Sequence, residues 1–128
     1  DYTEYLVCHT YGFEMAANSV KSYDATDENK VRYQIKSRRR VGAGAKAGRL
    51  SSLRSFDFDF LIGALFNPDY TISRAAKIPV DVVKENCGIS GHTNSHIFHL
   101  RDSVWELDQV EDVTLDLIDG QRAIDAGI

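Results

Sequence analysis

The chain has 128 residues, 43% of them apolar and 27% charged, which fits one domain spanning residues 1–128 and is too short for two ordinary ones. A chain of this length buries enough surface to fold without disulfide staples or a structural metal, so Cys8 and Cys87 read as reduced thiols. Its 15 basic and 19 acidic residues give a net charge of −4, which excludes a uniformly basic nucleic-acid binder, and no apolar run approaches the length of a membrane span.

These features, with no basic-then-apolar leader in view, make a soluble cytoplasmic protein without membrane contact the expectation. The chain begins at Asp1 and not at Met, so further N-terminal residues are expected to precede it. Charge is unevenly placed. Lys36, Arg38, Arg39, Arg40, Lys46, Arg49 and Arg54 follow one another with no acidic residue between them, leaving −11 for the rest of the chain.

In chain order, Tyr2, Tyr5, Leu6, Val7 and Cys8 predict a helix over residues 2–11 that Gly12 ends. Residues 13–22 read as irregular or extended. Tyr23-Asp24-Ala25-Thr26 and Val31-Arg32-Tyr33-Gln34-Ile35-Lys36 flank a polar cluster, Asp27 to Lys30, and predict a hairpin. Val31, Tyr33 and Ile35 then share one face of its second arm, and Arg32, Gln34 and Lys36 the other. The glycine-rich stretch 41–50 reads as a mobile loop; it lacks the ordered pattern of a phosphate-binding loop.

Further on, residues 56–66 predict an apolar strand, Asn67-Pro68-Asp69 a turn and residues 70–78 a returning strand. Pro79 opens a helix that stops at Gly88. Residues 88–94 read as loop, 96–100 as a strand and 104–126 as a mostly helical acidic tail, with Val110, Val113, Leu117 and Ile118 at helical spacing and Gly120 interrupting or ending it. No internal repeat appears. This order predicts a small α/β or α+β domain with a mixed central sheet flanked by helices.

The informative constellation is Asp24 on one arm of the hairpin, with Gln34 and Lys36 projecting on one face of the other. A carboxylate and an amide oxygen are hard ligands for Mg²⁺, and an adjacent ammonium can hold or activate water or stabilise charge on a phosphate. Tyr23-Asp24 followed by Tyr33-Gln34-Ile35-Lys36-Ser37-Arg38-Arg39 resembles the core hairpin of the PD-(D/E)XK nuclease superfamily, whose fold is restriction-endonuclease-like. That family carries an Asp at the start of one strand, an acidic-x-Lys triplet on the next and a Glu from a preceding helix. The resemblance covers residues 2–85.

Two departures stand out. Ser22-Tyr23 occupies the place of the family's Pro, which removes no ligand. Gln34 replaces the acidic residue of the triplet and should hold the ion more weakly, although the superfamily includes active Gln variants.

The resemblance implies an α/β fold and a metal-dependent endonuclease acting on duplex DNA. Asp24, the Gln34 side chain and the Ile35 carbonyl would hold Mg²⁺, or Mn²⁺ in its place, while Lys36 serves the attacking water. Glu4 is favoured over Glu14 as the helix carboxylate, its alternative being an exposed first-turn residue. A homodimer is expected, because cutting both strands needs two sites or two events.

The basic residues from Arg38, Arg39 and Arg40 through Lys46, Arg49 and Arg54 would then contact phosphates. About four such contacts predict that a fourfold rise in salt weakens binding by about two decades. Aromatic residues are not interleaved with these cations, which argues against a single-strand stacking platform. The plainer reading of Arg38 to Arg40 is an exposed strand end.

Other groups read as structural. His92, His96 and His99 near Cys87 lack a second paired cluster for zinc, and Asp57 with Asp59 reads as the solvent edge of a strand. Trp105 and Phe98 read as core or interface, and the acidic tail as a solvated helix face. Two rival functions remain open at this stage: a noncatalytic DNA-binding domain of the same fold, and a protein-interaction module facing an acidic partner.

Overall fold

The computed structural model describes residues 1–20, 22–42, 48–90 and 95–127. Helix α1, Tyr2–Tyr11, starts where the Asp1 side chain accepts a hydrogen bond from the Glu4 N–H at 2.9 Å. It ends at Gly12, whose φ of 72° is a left-handed conformation that glycine adopts without strain. Its buried face carries Thr3, Leu6, Val7 and Cys8. Strands β1 (Glu14–Met15), β2 (Ala25–Thr26) and β3 (Arg32–Arg39) follow, and β2 pairs antiparallel with β3 through Ala25↔Tyr33 and Thr26↔Arg32. The hairpin and its facing pattern are as the sequence predicts: Tyr33 and Ile35 are buried, Gln34 and Lys36 partly exposed.

Strand β4 (Phe60–Phe66) lies parallel to β3, and β5 (Ile72–Pro79) returns antiparallel to β4. Helix α2 (Val80–Asn86) follows directly, and β8 (Glu111–Asp112) closes the far edge beside β5. The result is a mixed six-stranded sheet in the order β1-β2-β3-β4-β5-β8. Strands β6 (Gly88–Ser90) and β7 (Ser95–Ile97) form a separate antiparallel pair, and α3 (Thr114–Asp125) ends the described chain.

Two cores cover the two faces of the sheet. Ile62, Ala64 and Phe66 of β4 face one, with Leu6 and Val7 of α1 and Leu117 of α3. Leu61 and Leu65 face the other, with Leu50, Leu53, Phe58, Phe98 and Leu100. A parallel pair needs a crossover, and here residues 40–59 supply it. Its apolar residues Leu50, Leu53 and Phe58 fill the second core, held by backbone bridges from Arg49 to His99 and from Leu53 to His96.

Several elements differ from the sequence reading. The strand predicted over 56–66 begins at Phe60, because Asp57 and Asp59 before it turn to grip Arg32. Residues 88–90 are a strand and not a loop, paired with residues 95–97. The acidic tail divides into a 3-10 segment (Asp102–Glu106), β8 and α3. Val113 packs in the core ahead of α3, and its N–H bonds the Ala75 carbonyl, so pairing to β5 interrupts the helical pattern. Gly120 neither interrupts nor ends a helix: it sits within α3, where a Cβ would overlap Thr10 Oγ1 of α1. Cys8 and Cys87 are free thiols in different cores. Among the described residues, no helix is long and apolar enough to cross a membrane.

Candidate active site

Strand β2 is two residues long and begins at Ala25, opposite Tyr33, so β3 has no outer strand neighbour beyond Tyr33. Asp24 fills the first gap. Its N–H bonds the Tyr33 carbonyl at 2.8 Å, and its own carbonyl accepts from Ala16 N–H at 2.9 Å, which fixes the residue at the edge of the sheet. Its Oδ2 then accepts from the Ile35 N–H at 2.7 Å and from Gln34 Nε2 at 2.9 Å. A side chain thus satisfies a backbone donor that a longer β2 would have paired. The N–H and C=O of one strand residue point to the same edge, so the Ile35 carbonyl faces this opening too.

Lys36 projects on the face opposite the α1 core. Its Nζ donates to Ser51 Oγ at 3.0 Å and to the Ser52 carbonyl at 3.3 Å, both on the crossover. Burial lowers the Lys36 pKa, against the opposing pull of Asp24 and Glu4. Burial likewise raises the pKa of Asp24, against the Ile35 N–H and Lys36. Desolvation outweighs attraction for both groups, so a cation beside the Asp24 carboxylate would offset the penalty that it carries. Glu4, one quarter exposed on α1, lies near enough to act on Lys36 and on the Cys8 thiol. That thiol is pushed up to about 11, first by burial and then by Glu4 and Asp24, which leaves it a poor nucleophile.

The donor chemistry suits a hard divalent ion. Asp24 Oδ1 takes none of the described hydrogen bonds and the Ile35 carbonyl adds a neutral oxygen, whereas Gln34 presents its amide nitrogen to Asp24 and would have to turn its Oε1 inward to ligate an ion. Asp24 and Glu4 are the two carboxylates whose charge reaches Lys36; among the described residues no three His, Cys, Asp or Glu side chains form a metal-binding group.

Two adjoining pockets run along this face of β3 and share Ser52. One, of about 280 Å³, is lined by Gln34, Lys36, Ser52 and Arg54; the other, of about 300 Å³, by Ser37, Arg38, Arg49 and Ser51. Three of the six cations singled out from the sequence, Arg38, Arg49 and Arg54, therefore line the cleft. Arg39 is engaged elsewhere, donating to the Pro68 carbonyl and lying 4.8 Å from the Tyr70 ring centroid. Arg40 reaches Asp102 at 3.9 Å, which Arg74 binds at 3.0 Å. Lys46 and His92 lie outside the described residues.

Glu14 is exposed in β1, at the outer edge of the sheet and two strands from β3. Asp57 and Asp59 are committed to Arg32 at 2.8 and 3.2 Å. His96 packs on Phe56 at 4.6 Å, and burial lowers the His99 pKa. Phe98 is core, and Trp105 donates Nε1–H to the Ala75 carbonyl. Sequence reasoning missed Ser51 and Ser52 as the acceptors that orient Lys36; their only signal was their place between Arg49 and Arg54. It also missed the Thr3 to Ser37 hydroxyl bond of 2.9 Å that ties α1 to β3 beside the site. Comparison with protein-family models and with curated proteins finds no match to the chain.

Proposed function

We propose that this protein is a Mg²⁺-dependent endonuclease of restriction-endonuclease-like fold that hydrolyses DNA phosphodiester bonds at the open edge of β3. The observation that carries the reading is the convergence of Asp24, Gln34 and the Ile35 backbone at one point, with Lys36 beside them in a cleft bearing three arginines. The order of α1, the Asp24 arm and the Gln34-Ile35-Lys36 arm supports the same fold.

Asp24, Gln34 and the Ile35 carbonyl would hold the ion, with Glu4 as the second carboxylate. Mg²⁺ supplies positive charge to the phosphate and makes a nearby water more acidic. Lys36 has three N–H donors, of which Ser51 and Ser52 orient two. The third, which makes none of the described hydrogen bonds, would hold the attacking water or meet charge developing on the phosphate oxygens. Arg38, Arg49 and Arg54 keep the strand in register so that water attacks in line with the departing 3′ oxygen. Cutting both strands needs two such sites or two successive events, so we include a homodimer in the proposal.

A second reading has a specific observation in its favour. Gln34 is neutral, and its amide donates to Asp24, so the same cleft could bind DNA without cutting it. Supercoiled plasmid incubated at low salt with Mg²⁺ or Mn²⁺, beside an EDTA control, separates the two. The nuclease reading expects metal-dependent nicking that Lys36→Ala reduces at least about 100-fold. Salt-sensitive binding with no cleavage would replace it by the noncatalytic binder, and absence of DNA binding would remove both.

A further inference from the structure

The outer edge of β3 carries backbone groups that the reading of Asp24, Gln34 and Ile35 does not use. Along a strand, successive residues turn their N–H and C=O alternately to one edge and to the other. The Arg40 N–H bonds the Phe66 carbonyl on the β4 side, whereas the Tyr33 carbonyl and the Ile35 N–H bond Asp24 on the outer side. By the same alternation Ser37 and Arg39 aim both of their backbone groups outward. β2 pairs with Arg32 and Tyr33 alone, and among the described residues nothing bonds the Ser37 or Arg39 backbone on that edge. Such an edge is a template for another strand.

Charge and hydrogen-bonding chemistry decide what can pair there. Lys36 and Arg38 project on the cleft face, and Ser37 and Arg39 on the α1 face, where the Ser37 hydroxyl accepts from Thr3 and Arg39 meets Tyr70. Arg38 and Arg39 are exposed. A second copy's β3 laid along this edge would set the cations of one copy against those of the other, which disfavours self-pairing. The backbone of DNA carries acceptors and no donors, so it leaves the Ser37 and Arg39 carbonyls unmet. An extended peptide brings both a donor and an acceptor at every second residue, and the residues between them turn their side chains to the cleft face.

We infer that the outer edge of β3 takes up an extended acidic segment of a partner protein as an added strand. Its backbone pairs with Ser37 and Arg39, and two carboxylates, two residues apart in the partner, lie opposite Lys36 and Arg38. The spacing follows from the register, since Lys36 and Arg38 are themselves two residues apart on one face. The inference uses only the unpaired edge and its cations, so it stands apart from the divalent ion and from cleavage.

The test is fluorescence anisotropy of a labelled, end-blocked six-residue peptide alternating glutamate with valine, titrated with the full chain in EDTA and without DNA. The peptide is expected to bind at least about tenfold more tightly than the same peptide N-methylated at its valines, which keeps the charge and loses the donors. A peptide alternating lysine with valine is expected not to bind. Arg38→Glu, at an exposed position, is expected to weaken the glutamate peptide about tenfold. Amide hydrogen exchange at Ser37 and Arg39 is expected to slow in the complex. No binding of the glutamate peptide would overturn the inference, as would unchanged exchange at Ser37 and Arg39 or full affinity in Arg38→Glu. Equal binding of the N-methylated peptide would also overturn strand addition, leaving a cleft that attracts anions of any backbone, nucleic acid included.

Discussion

Strands β3 and β4 lie side by side for seven paired residues, from Tyr33↔Phe60 to Arg39↔Phe66, yet they are built for different purposes. β4 has a partner on each edge and a core on each face, and all but its first residue are buried. Its sequence is accordingly an unbroken apolar run. β3 keeps β4 on one side, but on the other β2 begins only at Ala25, opposite Tyr33, and the residues of β3 alternate until the exposed Arg38 and Arg39. The proposed chemistry collects where the pairing runs out. An interior strand has no room for a carboxylate and an ammonium that desolvation already disfavours, whereas an open edge leaves both within reach of ligand.

Breaking the β4 side should cost stability first. Ile62, 1% exposed in the core beneath α1, has no polar duty, so Ile62→Ala should lower the unfolding free energy by about 2–5 kcal/mol, read by denaturant titration. Mutations on the β3 side should do the reverse. Asp24→Asn keeps an acceptor for the Ile35 N–H and removes a charge that burial penalises, so its melting temperature should hold or rise while cleavage falls at least about 100-fold. Stability and activity would thus separate between neighbouring strands, as expected for a site that carries unfavourable desolvation.

A smaller effect belongs to the entrance of both strands. Arg32 lowers the pKa of Asp59 below its ordinary value of 3.8. A depressed carboxylate stabilises the fold above its unfolded pKa and loses that contribution as pH falls through the folded one. Asp59→Asn should therefore destabilise the protein mildly at neutral pH, much less than Ile62→Ala. The gap from wild type should narrow in thermal melts as pH falls below the ordinary carboxylate value and through the lowered one, where the wild-type carboxylate also becomes neutral.

The hairpin was legible because its signals are local. Alternation places Gln34 and Lys36 on one face, the polar cluster Asp27 to Lys30 makes the turn, and the register then brings Asp24 to Gln34. The end of α1 was legible for the same reason, since Gly12 is the left-handed cap. What escaped depends on partners far along the chain. Ser51 and Ser52 meet Lys36 only because the crossover is pinned by His96 and His99. The strand at residues 88–90 exists through its pairing with residues 95–97, and β8 through its pairing with β5. Tyr70 meets Arg39, and Tyr2 meets Phe66, across long stretches of chain, which is why a linear scan finds no aromatic among the cations.

Thermal unfolding in EDTA against increasing Mg²⁺ tests, without any substrate, the claim that the open edge of β3 holds a divalent cation. Gln34→Glu deletes the amide that donates to Asp24 and sets two carboxylates together, so its melting temperature should fall in EDTA. Mg²⁺ should then raise the Gln34→Glu midpoint more than that of wild type, and leave Asp24→Asn unmoved. A Mg²⁺ response equal in all three proteins, or absent from all three, would contradict the claim.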